Sequence, residues 1–252
     1  MSEIQQAIPA ATLVIFRETG VGAPELLMVE RAKQMAFAAG ALVFPGGRID
    51  PGDRELAERF GGEPDDIAAR IAAIRETVEE AGLPVGLGPM PSPAMLAELR
   101  RALHAGAPFA DALADAGTGL DLDRLVPFAR WLPQHAGMRI FDTRFYLARL
   151  PADAPEASVD RTENVRLLWA TAAQVLADAD AGTATIIYPT RRNLERLAQF
   201  ASFDTAAAQA HAIPVTTITP FEEERDGRAH LCIPEGLGYP ITAEPMGAVR
   251  RQ

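Results

Sequence analysis

Residues 65–83 read DDIAARIAAIRETVEEAGL and predict the helix on which the rest of the fold depends. Apolar residues recur at every third or fourth position, which is typical of one buried helix face, and they are Ile67, Ile71, Ile74, Val78 and Ala81. Glu76, Glu79 and Glu80 fall together on the opposite face, and Gly82 follows as a helix end. Packing the apolar stripe against a sheet would hold the three carboxylates toward a cleft or toward solvent.

Two interpretations of these carboxylates are open. They form an ordinary solvated helix face, or they bind a hard divalent cation, which prefers oxygen ligands. Like charges at this spacing destabilise an isolated helix by roughly a few tenths of a kcal/mol per pair. A bound cation would reverse that cost. The residues upstream of the helix distinguish the two interpretations.

Upstream of the helix, Phe44 and Pro45 run into a glycine pair, Gly46 and Gly47, which we interpret as a tight turn. Asp53 follows Gly47 after five intervening residues. Asp53 also suits the N-cap of a short helix over residues 54–60. Both a functional role and a capping role are therefore open for Asp53.

Gly47-x5-Asp53, followed by residues 75–83 (RETVEEAGL), resembles the Nudix box G-x5-E-x7-R-E-U-x-E-E-x-G-U. Every charged and glycine position of the second half matches, while Thr77 replaces an aliphatic residue. Asp53 stands where the box has glutamate, and 21 residues separate it from Arg75 where the box has seven. The match predicts membership of the Nudix hydrolase family.

The resemblance implies an α/β fold, a Nudix-type α/β/α sandwich with a mixed sheet and helical insertions. It also implies that Glu76, Glu79 and Glu80 bind Mg²⁺ or Mn²⁺, which neutralises a substrate pyrophosphate and lowers the pKa of an attacking water. Arg75 would hold a glutamate in place, and the backbone carbonyl of Gly46 would reach the metal. A further carboxylate would act as base or complete the metal shell, and Glu163 is the first candidate.

Residues 31–40 followed by 44–47 resemble the element that precedes the box in coenzyme A diphosphatases, although Ala36 replaces a common second arginine. Segments 129–131, 141–146, 163–169 and 189–190 resemble the insert-bearing Nudix branch that includes peroxisomal coenzyme A diphosphatases. Coenzyme A or acyl-coenzyme A is therefore the expected substrate, with ADP-ribose or a dinucleotide such as NADH as the alternative. Candidate phosphate contacts are Arg31, Arg48 and Arg144.

The 252 residues predict a single Nudix domain, with a box insertion near 54–66 and a helical insertion near 92–117. Expected strands cover residues 11–17, 25–31, 41–44, 126–132, 140–150 and 164–169. Expected helices cover 54–60, 65–81, 92–105 and 108–116, with two more that are capped by Thr171 and Thr190. Along 141–147, alternating residue types predict a strand with one better-buried face.

A formal net charge of −10 disfavours nucleic acid as a partner, and a small nucleotide diphosphate is expected instead. Cys232 is the single cysteine, so the chain forms no internal disulfide. The sequence offers no signal peptide or membrane span, which favours the cytoplasm, and a homodimer is left open. A non-catalytic nucleotide-sensing Nudix module is the rival outside enzymes, and an eroded carboxylate set would favour it.

Overall fold

The computed structural model describes residues 7–34, 38–133, 140–160 and 164–249. The strands are β1 (Ile8–Arg17), β2 (Glu25–Arg31), β3 (Leu42–Val43), β4 (Gly46–Arg48), β5 (Leu87–Gly88), β6 (Gly119–Leu120), β7 (Val126–Trp131), β8 (Phe141–Arg149), β9 (Asn164–Thr171), β10 (Thr217–Ile218), β11 (Phe221–Arg225), β12 (Arg228–Cys232) and β13 (Ala243–Pro245). The helices are α1 (Pro51–Ala57), α2 (Pro64–Ala81), α3 (Pro93–His104), α4 (Phe109–Asp115), α5 (Ala172–Asp180), α6 (Tyr188–Leu197), α7 (Phe203–Ala212) and α8 (Met246–Val249).

Eight strands form one mixed sheet in the order β10-β7-β8-β1-β2-β3, while β4 also pairs with β1 and β9 with β2. β1 runs parallel to β8 and antiparallel to β2 and β4. The glycine pair was predicted as a turn, and that prediction is wrong. Gly46 and Gly47 lie in β4, opposite Thr12 and Ala11 of β1, so the sheet itself fixes their position.

Both faces of this sheet are covered. Leu13 and Ile15 of β1 lie in one hydrophobic core, whereas Val14 and Phe16 lie in a second core on the other face. The expectation of one better-buried face along β8 is wrong for the same reason, because Tyr146 packs in the first core and Leu147 in the second. The result is an α/β/α sandwich, as the sequence predicted.

Helix α2 crosses the first face and ends at Gly82, which adopts the left-handed conformation with φ of 65°. The predicted helix over residues 65–81 is confirmed. The predicted single stripe is incomplete, because Thr77 and Glu80 are buried as well. Small side chains along α2 allow neighbouring elements to approach it closely, and these are Ala68, Ala69, Ala72 and Ala73.

The extra residues between the two halves of the box form the rest of α1 and the first turns of α2. Helix α1 begins at Pro51 rather than at residue 54, since proline suits the first helical turn, and Asp50 is its N-cap. The segment near 92–117 forms α3 and α4, whose buried side chains pack into the same core as α2: Leu96, Leu99, Leu103, Phe109 and Leu113.

Helices α5, α6 and α7 cover the second face, together with Leu231 of β12 and Ile233, which follows that strand. Thr171 caps α5, as predicted. Thr190 is not a cap, because α6 begins two residues earlier at Tyr188. In the described parts of the chain, no helix is both long and apolar enough to cross a membrane.

Candidate metal and phosphate site

Strand β4 lies directly against the carboxylate end of α2. A Cβ atom added to Gly47 would lie 2.3 Å from Oε1 of Glu76, and one added to Gly46 would lie 2.3 Å from the carbonyl oxygen of Ala11. Neither position has space for a side chain. The two glycines therefore allow the Glu76 carboxylate to approach the backbone of the sheet.

Glu80 is buried between this strand and β9. Its Oε2 accepts a hydrogen bond from the Gly46 N–H at 2.9 Å, and its Oε1 accepts one from Nδ2 of Asn164 at 2.9 Å. Burial raises the pKa of Glu80 to about 8, and the charge of Glu76 adds to that effect. Asn164 is fully buried and was missed by the sequence analysis, because nothing in the sequence links it to a residue 84 positions away.

Arg75 connects the two halves of the box. Its Nε and Nη2 atoms donate to the two oxygens of Asp53 at 3.0 and 2.9 Å, and Nη2 also donates to the Arg48 carbonyl at 2.9 Å. Asp53 is 2% exposed and also accepts the Asp50 N–H at 2.8 Å. The predicted N-cap role of Asp53 is wrong, since Asp50 is the N-cap of α1. Asp53 lies in the first turn instead, where its carboxylate accepts the Asp50 N–H and pairs with Arg75.

Arg75 also neutralises part of the charge on the glutamates. Its Nη1 donates to Glu76 at 2.8 Å and to Glu79 at 3.5 Å. Burial alone would lower the pKa of Arg75, but the hydrogen bonds to Asp53 and the charges of Glu76 and Glu79 outweigh burial and raise it. The guanidinium group therefore stays charged.

Burial raises the pKa of Glu76 to about 7, despite the opposing charge of Arg75, and the charge of Glu79 contributes to the rise. Burial also raises the pKa of Glu79, against the charges of Arg75 and His104. The Arg75 guanidinium group lies 2.8–3.7 Å from four carboxylates, those of Asp50, Asp53, Glu76 and Glu79. Acidic side chains therefore outnumber the Arg75 guanidinium group that pairs with them.

A cavity of about 460 Å³ lies beside this cluster. Its lining falls into two sets of residues. The polar set includes Glu76, Glu79, Asp50, Arg31 and the residues of β4. The apolar set comes mainly from β7, β8 and the start of α6, and includes Phe44, Trp131, Ile140, Phe141, Phe145, Ile187 and Pro189. Such a cavity suits a ligand with one highly charged part and one apolar or aromatic part.

No family model matches the chain. A solved NUDIX hydrolase from Alicyclobacillus acidocaldarius is 30% identical in sequence and superimposes with a TM-score of 0.71, over 81% of this chain and 97% of that one. The chain belongs to the Nudix hydrolase family. The predicted family and sandwich fold are both confirmed.

Two curated Nudix relatives are also similar. The acyl-coenzyme A diphosphatase NUDT19 of Gallus gallus is 28% identical, and the match covers 71% of this chain and 62% of the relative. The putative nudix hydrolase 7 of Caenorhabditis elegans is 28% identical over 183 residues, covering 71% of this chain and 57% of the relative. The chain thus spans about three-fifths of the length of these relatives.

The Nudix box residues of this chain have the donor chemistry of a Mg²⁺ or Mn²⁺ site, since carboxylate oxygens suit hard cations. Within the described residues, no three acidic, histidine or cysteine side chains are already gathered as a metal-binding group. Glu76 and Glu79 both form ion pairs with Arg75 instead. A metal ion would compete with Arg75 for these two carboxylates.

Of the predicted phosphate contacts, Arg31 and Arg48 line the cavity. The charge of Arg31 also acts to lower the pKa of Glu80, against the effect of burial. Arg144 is not brought to the cavity, because it lies on the opposite side of β8 from Thr143 and Phe145 and faces Glu63 and Asp66, 3.5 and 3.6 Å away. Glu163 lies outside the described residues.

Proposed function

We propose that this Nudix protein hydrolyses the pyrophosphate linkage of a nucleoside diphosphate-linked small molecule, and that coenzyme A or acyl-coenzyme A is its substrate. The observation that supports this most strongly is the contact of Glu76 and Glu80 with β4, next to a cavity that is lined by Glu76 and Glu79 and has an apolar wall. A cytoplasmic location and a homodimer stay predictions.

In this proposal Glu76, Glu79 and Glu80 hold Mg²⁺ or Mn²⁺, with the Gly46 carbonyl as a further ligand. The bound ions supply positive charge to the diphosphate and lower the pKa of an attacking water. Arg75 is a positioning residue, because it contacts Asp53 and the glutamates and orients them. Asn164 and the Gly46 N–H orient Glu80 by holding one carboxylate oxygen each.

The cavity supports a substrate that combines phosphate groups with an apolar or aromatic group. Arg31 and Arg48 are the proposed phosphate contacts, since guanidinium groups bind phosphate oxygens through paired donors. The similarity to the chicken acyl-coenzyme A diphosphatase favours a coenzyme A compound among such substrates. ADP-ribose and NADH fit the same general description, and they are the alternative substrates.

A nucleotide-sensing module without catalysis is the second candidate function. The internal pairing of Glu76 and Glu79 with Arg75 favours it, because a metal has to displace those contacts. The presence of all three principal glutamates favours catalysis.

A hydrolysis screen separates these possibilities. The purified protein is incubated with coenzyme A, acyl-coenzyme A, ADP-ribose or NADH, with Mg²⁺, with Mn²⁺ and with EDTA. We expect metal-dependent release of a 3′,5′-ADP product from coenzyme A compounds and a loss of at least about 100-fold in Glu79→Gln. Glu98→Gln, an exposed glutamate on α3, is the matched control and should keep full activity.

Equal turnover by wild type and Glu79→Gln would contradict the metal mechanism. Faster turnover of ADP-ribose or NADH than of coenzyme A compounds would replace the proposed substrate and keep the mechanism. Tight nucleotide binding without turnover of any of the four compounds would establish the sensing module instead.

A further inference from the structure

The last turn of α2 carries two of the proposed metal ligands, and its backbone carbonyls need partners from outside the helix. An α-helix leaves its final carbonyl groups without intrahelical donors. In α2 the Val78 carbonyl is bonded by the N–H of Gly82 at 3.0 Å, and the Ala81 carbonyl by the N–H of Ser158 at 2.9 Å. The carbonyls of Glu79 and Glu80 lie between these two.

Helix α3 supplies the partners of Glu79 and Glu80. Nε of Arg100 donates to the Glu79 carbonyl at 2.8 Å, and Nη2 of Arg100 donates to the Glu80 carbonyl at 3.1 Å. Nε2 of His104 lies 3.0 Å from the same Glu79 carbonyl. A guanidinium group at this position also carries positive charge to the negative end of the helix dipole. The two ligand-bearing residues are thus held through their backbone by a neighbouring helix.

Arg100 connects this turn to a third element. Its Nη1 donates to Oγ of Ser158 at 2.7 Å, and its Nη2 donates to the Ser158 carbonyl at 2.8 Å. Close behind Ser158, Asp160 accepts the N–H of Asn164 at 3.2 Å, and Asn164 holds the Glu80 carboxylate. Arg100 therefore contacts the backbone of Glu80 directly and also binds the side chain and backbone of Ser158.

The placement of Arg100 follows from the amphipathic pattern of α3. Leu96, Leu99 and Leu103 are buried against α2, and they fix the position of α3 on the first core. Arg100 and His104 are four residues apart, so they lie on one side of α3 at the edge of that buried stripe. The packing of α3 brings both side chains to the end of α2.

We propose that Arg100, assisted by His104, is a positioning residue that fixes the last turn of α2 so that the Glu79 and Glu80 carboxylates are placed to bind the metal. This inference rests on the proposed function. It gives the helical segment over residues 92–117 a direct part in the metal site, in addition to its packing role.

The test measures Mn²⁺ binding by electron paramagnetic resonance of the free ion, together with thermal unfolding and steady-state kinetics. Arg100→Met should weaken Mn²⁺ binding and lower kcat, each by about tenfold, with a smaller change in KM. Arg100→Lys keeps the charge but not the forked donors, so an intermediate effect is expected. Arg101→Met, at an exposed neighbouring residue that forms an ion pair with Glu98, is the matched control and should match wild type.

A second control separates positioning from stability. Val175→Ala removes buried packing in the second core, on the opposite face of the sheet from α2 and α3, so it should lower the melting temperature and leave Mn²⁺ affinity within about twofold. If Arg100→Met does not fold, the exposed His104→Ala replaces it, with about threefold weaker Mn²⁺ binding expected.

An unchanged Mn²⁺ affinity in Arg100→Met would overturn the inference if wild type binds Mn²⁺ and turns over substrate. A parallel loss of affinity in Val175→Ala would overturn it as well, because the effect would then be general destabilisation. Failure of the wild type itself to bind Mn²⁺ would instead overturn the proposed function.

Discussion

The pair formed by Asp53 and Arg75 is the contact whose energy is best defined by the structure. Both side chains are nearly inaccessible to solvent, and two hydrogen bonds of 3.0 and 2.9 Å join them. Removal of one member of a buried ion pair typically costs about 3–5 kcal/mol. In Asp53→Asn, Arg75 keeps its contacts to Glu76 and to the Arg48 carbonyl. We therefore expect this substitution to lower the free energy of unfolding by about 3 kcal/mol, the lower end of that range.

A double-mutant cycle tests this value. The free energy of unfolding is measured by urea denaturation in EDTA for wild type, Asp53→Asn, Arg75→Met and the double variant. Each single change should cost about 3 kcal/mol or more, and the double variant should cost roughly 2 kcal/mol less than the sum, because both changes remove the same pair. Costs that add to within about 0.5 kcal/mol would show that the two residues are not coupled, and the role assigned to Asp53 would be wrong.

Three further predictions concern other residues. Gly47→Ala should displace the Glu76 carboxylate and lower kcat by about 100-fold or more, because the added Cβ would lie 2.3 Å from Oε1 of Glu76. A kcat close to that of wild type would contradict the close packing of this glycine. Burial raises the pKa of Glu195 to about 7, so its contribution to stability is full below about pH 4.5 and is lost as the pH rises through 7. Glu195→Gln should therefore gain on the order of 1–2 kcal/mol relative to wild type between pH 4.5 and 8, after allowance for solvent screening, and parallel pH profiles in urea denaturation would refute this. Tyr146→Phe removes a 2.8 Å hydrogen bond to Asp66, so it should lower the free energy of unfolding by about 1 kcal/mol and leave kcat unchanged. A tenfold fall in kcat would contradict this and show that the hydrogen bond affects catalysis.

The carboxylate helix could be predicted because its information is local. Periodicity gives the buried face of α2, and Gly82 gives its end. The Nudix box residues then identify the family. The sequence did not decide the role of Asp53, because 21 residues separate it from Arg75 and a capping role explains it equally well. Only the packing of α1 against α2 brings the two side chains together.

The other site residues depend on contacts between distant parts of the chain. Asn164 and Arg100 are brought to α2 by the pairing of β9 with β2 and by the packing of α3, and neither has a local signal. Arg144 was proposed for its chemistry, but alternation along β8 places it opposite the residues that line the cavity. The alternation was visible in the sequence, whereas the face on which the cavity lies was not.

The central claim is that a divalent cation binds among Glu76, Glu79 and Glu80 beside β4. A crystal of the protein soaked with Mn²⁺, with diffraction recorded at the manganese absorption edge, tests this claim directly. We expect anomalous density among these three carboxylates and next to Gly46, with Glu76 withdrawn from Arg75. Anomalous density elsewhere only, with Glu76 still hydrogen-bonded to Arg75, would contradict the account.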